Sequence, residues 1–135
     1  MVNVLRVTKA DLDENNYYKN ESLVNDEGSI EVAANLGWVK VRNFVRCNSG
    51  LFIEAGSFIE AGESIEAGEF IKAGSFIKAR ESIISGLLGT RLGDIIAKSL
   101  SVKLRICAGF NCKETKKIIG EIKSGKVILG KVVKL

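Results

Sequence analysis

Isoleucine recurs every six residues through Ile53, Ile59, Ile65, Ile71, Ile77 and Ile83. Two positions after each stands a small residue: Ala55, Ala61, Ala67, Ala73, Ala79 and Ser85. Glycine follows at Gly56, Gly62, Gly68, Gly74 and Gly86, with Arg80 in place of the remaining one. A period of six would wind these side chains around a helix, which gathers a face only at 3.6-residue spacing. Positions i and i+2 instead share one face of a strand. Glycine then allows a tight turn before the next short strand.

A longer period lies above the first. Residues 51–68 and 69–86 match position by position, so eighteen residues, or three sixes, complete a unit. The expected fold is therefore all-β: a single-stranded parallel β-helix, or triangular β-solenoid, with 18 residues per coil. Coils in such a stack lie about 4.8 Å apart, the ordinary strand spacing. This register sets Phe52 under Phe70, Phe58 under Phe76 and Ser64 under Ser82, with Glu54 one coil below Lys72 and Glu60 one coil below Lys78. The same i, i+2 pairing appears upstream in Ile30/Val32, Val39/Val41 and Val45/Cys47, and downstream in Ile95/Ala97, Ile106/Ala108 and Ile122/Ser124. Residues 28–135 are read as the solenoid, with 87–100 as coil in preference to an amphipathic helix on Leu88, Leu92, Ile95 and Ile96. Residues 1–27 include a polar stretch with the paired Tyr17 and Tyr18, and are expected to form an N-terminal capping segment. Solenoid ends need such caps to avoid stacking on other chains.

Two absences narrow the function. The chain has no histidine and no proline. Without histidine, serine–histidine and cysteine–histidine nucleophile systems are excluded, along with the commonest general base and metal ligand. Cys47, Cys107 and Cys112 are an odd set with no partner pair to complete a zinc shell, and are read as small core fillers in a reducing compartment. No apolar run reaches membrane-spanning length, and no signal-peptide layout opens the sequence, so a cytoplasmic location is expected. Neither a cofactor nor a metal is expected, and the protein is read as a non-enzyme.

Three groups of side chains stand out. Phe52, Phe58, Phe70 and Phe76 each directly precede an inward isoleucine, so alternation points them outward as a candidate interface in two aromatic stacks. Residues 98–135 carry ten basic and two acidic side chains, which makes Lys113, Lys116, Lys117, Lys123 and Lys126 a candidate basic contact surface for nucleic acid or an acidic partner. Against this, the lysines alternate with Val and Ile as on a solvated strand face, and Phe110 is the only aromatic near them. Glu54, Glu60 and Glu66 recur six apart, which puts them on three different faces and prevents them from forming one site.

The hexads resemble two families. Ile53-Glu54 and its counterparts are similar to the start of the repeat in the left-handed β-helix of hexapeptide acyltransferases and gamma-class carbonic anhydrases. Glu63, Glu69 and Glu81 depart from that pattern, which wants a small residue four positions after the isoleucine, and the histidines of those enzymes are missing. Gly62-Glu63-Ser64-Ile65-Glu66-Ala67 and Gly93-Asp94-Ile95-Ile96-Ala97 resemble bactofilin coils. That likeness implies a right-handed triangular β-helix and end-to-end polymerisation. The function expected is protein binding through the phenylalanine faces, with a homodimer as one outcome. Small solenoids without catalytic groups often act by occupying another macromolecule; inhibitors carried by phage or mobile elements, such as anti-CRISPR proteins, and toxin-immunity proteins belong to that class. The alternatives are a bactofilin-like scaffold and a nucleic-acid binder.

Overall fold

Each apolar pair becomes a short strand with its two apolar side chains turned inward. The computed structural model describes residues 3–74, 77–90, 94–108 and 116–133. Within them the chain is all-β, apart from a single 3-10 turn at Lys9–Asp11. All strand pairings are parallel, and they stack the chain into a three-sided β-solenoid.

The first face consists of β1 (Val4–Val7), β3 (Ser29–Val32), β6 (Gly50–Ile53), β9 (Phe70–Ala73) and β12 (Leu87–Thr90). The second stacks β4 (Gly37–Val41), β7 (Ser57–Ala61) and β10 (Ile77–Ala79). The third stacks β2 (Leu23–Asn25), β5 (Val45–Cys47), β8 (Ile65–Ala67) and β11 (Ser82–Ser85). Strand β13 (Ile95–Ala108) then runs one entire coil without a break: it pairs successively with β10, β11 and β12. Strand β14 (Lys117–Leu129) pairs along β13, and β15 (Lys131–Val133) lies on its first residues. The stretch Leu87–Thr90 and the part of 95–100 that follows are strand, in agreement with coil over helix.

The core is a set of continuous columns. Ile30, Leu51, Ile71, Leu88 and Ile106 stack inside the first face. Val39, Ile59, Ile77, Ile95 and Ile118 stack inside the second, and Leu23, Val45, Ile65, Ile83 and Leu100 inside the third. All are buried. Burial of each such side chain stabilises the fold by about 1.5–3 kcal/mol relative to exposure. Polar groups that enter the interior are bonded: Ser57 Oγ donates to the Ala33 carbonyl and accepts from the Leu36 amide at 3.0 Å.

The uniform 18-residue coil needs correction. Ile59 pairs with Ile77 and Ile65 with Ile83, eighteen residues on, but Leu51 pairs with Ile71, twenty on. Ile71 pairs with Leu88, only seventeen on. The two extra residues lie at the corner after Ile53. There Gly56 adopts φ +81° above Asn35 at φ +60°, and the Asn35 amide donates to the Ala55 carbonyl at 3.0 Å. The wider corner pushes Ala55 out to solvent, whereas the other small positions of the repeat are buried. It also breaks the expected stack of Glu54 under Lys72. Lys72 faces Phe52 instead, and Glu54 meets Arg6 at 3.1 Å. Where the eighteen-residue spacing holds, the expected pairs form. Glu60 lies beside Lys78 at 3.9 Å, and the Ser64 and Ser82 hydroxyls are 2.9 Å apart.

Of residues 1–27, Val4–Val7 and Leu23–Asn25 pair as strands with the next coil. Between them the chain departs from the repeat. Leu12 packs against the core, Tyr18 is buried, and the Tyr18 amide donates to the Lys40 carbonyl at 2.8 Å.

Candidate functional site

Strand alternation decides which side chains can meet a partner. On the first face, Leu51 and Ile53 point in and Phe52 points out, half-buried. In the next coil Ile71 and Ala73 point in, while Phe70 and Lys72 point out. Phe70 pairs with Gly50, whose missing side chain leaves room for the ring to lie over it. The Phe70 ring therefore reaches Phe52 diagonally, with centroids 4.8 Å apart and planes at 70°, an edge-to-face contact. The Lys72 ammonium stands 5.3 Å from the Phe70 ring. One coil further, Leu87 continues the strip at 37% exposure. Arg6, Glu31, Glu54 and Lys72 edge this apolar strip with both signs of charge, Arg6 reaching both glutamates.

A second pair lies on the second face. Phe58 pairs with Trp38, and their rings are 5.4 Å apart at 62°. Two adjacent faces thus each carry an outward aromatic pair. Phe76 lies outside the described residues. Trp38 was not among the residues singled out from the sequence, yet the signal was present: it precedes Val39 as Phe58 precedes Ile59.

The basic candidates do not gather. Lys117 lies on the second face beside Lys131, Lys123 follows Ile122 of the third, and Lys126 pairs along the first. Lys116 directly precedes β14, and Lys113 lies outside the described residues. Glu54, Glu60 and Glu66 likewise fall on three sides, since they belong to or directly follow β6, β7 and β8.

Cys47 is a core residue of β5 at 4% exposure, and burial pushes its thiol up to about 11, so it is inert at neutral pH. The Cys107 side chain and Cys112 lie outside the described residues. Among the described residues no three Cys, Asp or Glu side chains form a metal-ligating group, and no helix is long and apolar enough to cross a membrane.

No family model, curated protein or solved structure matches this chain. What can be said of its function rests on its own residues.

Proposed function

We propose that this chain is a non-enzymatic protein-binding module that pairs with a second copy of itself through its outward aromatic strip. The observation that carries this reading is the Phe52–Phe70 pair, extended by Leu87, on the outside of the first face. Aromatic anchors in a mixed-charge surround are the usual centre of a protein interface. The surround of Arg6, Glu31, Glu54 and Lys72 suits a self-complementary contact, because two copies can set Glu against Lys or Arg across a two-fold axis. The C-terminal lysines surround the coil instead of forming the single basic face a nucleic-acid binder would need. The biological class we favour is that of small solenoids that act by occupying another macromolecule, inhibitors of the anti-CRISPR or toxin-immunity kind among them.

Light scattering behind size exclusion tests the reading. The wild type should run at a fixed dimer mass. Phe52→Ser combined with Phe70→Ser should weaken association at least tenfold, a loss of hot-spot size, while the far-ultraviolet circular dichroism stays strand-like. A wild-type monomer at every concentration, or a double variant that dimerises as before, overturns it. A mass that climbs steadily with concentration would favour the alternative, a bactofilin-like scaffold whose hexapeptide coils stack end to end.

A further inference from the structure

The corner after the second face carries a separate feature. Along the outside of that face run, in register, Lys40, Glu60 and Lys78. Two residues further along the chain the next column reads Arg42, Gly62 and Arg80. Arg80 is the one place where the repeat substitutes a charged residue for its glycine. Gly62 lies between the two arginines, packed on the Arg42 carbonyl of the coil below, where no side chain would fit. The groove there has a volume of about 540 Å³ and is lined by Tyr17, Gly62, the cations Lys40, Arg42, Lys78 and Arg80, and the acid Glu60. That volume falls in the range of small-molecule sites.

The cations are held in different ways. Arg42 lies over the Tyr17 ring at 4.4 Å, donates to the Tyr18 carbonyl at 3.3 Å, and sits 3.6 Å from Asp13. Lys40 lies over the same ring at 5.2 Å. Tyr17 thus fixes the lower pair of cations at the edge of the groove. Above, Lys78 neutralises Glu60 at 3.9 Å, and Arg80 forms no ion pair with any described residue. Four cations against Glu60 and Asp13 leave a surplus of two positive charges. Two coils separate the arginines, a span of about 10 Å at the ordinary strand spacing. Two guanidinium groups can therefore converge on one anionic chain lying over Gly62, and guanidinium forks match phosphate oxygens in pairs.

Three backbone amides along the groove are already bonded within the stack. The Gly62 amide is bonded to the Val41 carbonyl at 2.9 Å, the Arg80 amide to Ala61 at 3.0 Å, and the Lys40 amide to Asn16 at 2.9 Å. A ligand must therefore bring its own dense charge. We infer that this corner binds a compact oligophosphate, an activity separate from the aromatic strip on the first face.

Trp38 is the only tryptophan of the chain and sits two residues before Lys40, so its fluorescence is followed together with the heat of binding by calorimetry. Titration with inorganic triphosphate, and separately with ATP, at low salt should give saturable binding. Arg80→Gly restores the residue that the repeat itself uses, so it should fold as the wild type does, and it should weaken binding about tenfold, the size of a lost charge-assisted contact. Lys123→Gln, on another side of the coil, should leave binding within a factor of about two, as expected for a distant exposed charge. Phe52→Ser with Phe70→Ser should not alter it, which separates this inference from the dimer. Equal binding by inorganic triphosphate and ATP assigns recognition to the phosphate chain; tighter binding of ATP adds the nucleoside to the same site. No saturable signal, or equal weakening by Arg80→Gly and Lys123→Gln, overturns the inference in favour of diffuse surface charge.

Discussion

A glycine in this coil does one of two things, depending on what lies beneath it. A methyl group at Gly50 would first meet the far end of the Phe70 ring, which can swing aside. A methyl at Gly68 would meet the Asn48 backbone carbonyl of the coil below, which cannot. Gly50→Ala should thus be near neutral in stability, the lost ring contact of about 0.5–1.5 kcal/mol being offset by reduced freedom of the unfolded chain. Its mark should be a shift of the Phe70 and Phe52 ring resonances. Gly68→Ala should cost about 1–3 kcal/mol, since packed coils must separate to admit it. Urea denaturation of both variants measures the contrast. Equal midpoints would mean that the corner is looser than its contacts indicate.

At the scale of elements, the strands were legible in the sequence because burial follows strand alternation without exception at Ile59/Ala61, Ile65/Ala67 and Ile77/Ala79. Coil length was not legible. Ile53 carries the same hexad as Ile71, yet it is the second inward residue of its strand and faces Ala73. The hexad decides what points inward at every small position but Ala55, whereas corner width depends on Gly56 sitting on Asn35, a contact between residues twenty-one apart that no local pattern encodes. The outward aromatics could be read directly. The basic groove could not, because it assembles residues from three coils and from the irregular 8–22 segment. That segment is held by two carboxylates. The Thr8 amide donates to Asp11 at 2.8 Å, and the Asn15 and Tyr17 amides donate to Asp13 at 2.9 Å. These bonds, with Lys19 helping at Asp11 and Arg42 at Asp13, hold both acids below the usual carboxylate range. A depressed folded value gives support that is present above the ordinary aspartate value of about 4 and is lost as pH falls through the folded one. The amide resonances of Thr8, Asn15 and Tyr17 should therefore move together below about pH 4, while those of Ile59 and Ile77 stay fixed. Simultaneous loss of both sets would show that the segment and the coils melt as one.

The described residues form a stack in which each strand pairs only with the coils directly above and below it. Stability is then a sum of coil-to-coil contacts, and deletion of an inward isoleucine is felt locally: a large-to-small change in such a column costs about 2–5 kcal/mol. Adjacent faces can carry different tasks, because outward residues take no part in the core. The first face presents Phe52, Phe70 and Leu87, and the corner after the second presents Arg42 and Arg80.

Parallel pairing between successive coils has a mechanical consequence. Hydrogen bonds between coils point along the long axis of the stack, so tension applied from end to end loads each ladder in line and opens it one coil at a time. Optical-tweezer extension should give a staircase, with steps set by the seventeen to twenty-five residues between paired positions, or about 55–90 Å of chain each at full extension. A single rupture of the entire length would mean that the columns of isoleucine bind the coils into one cooperative rod.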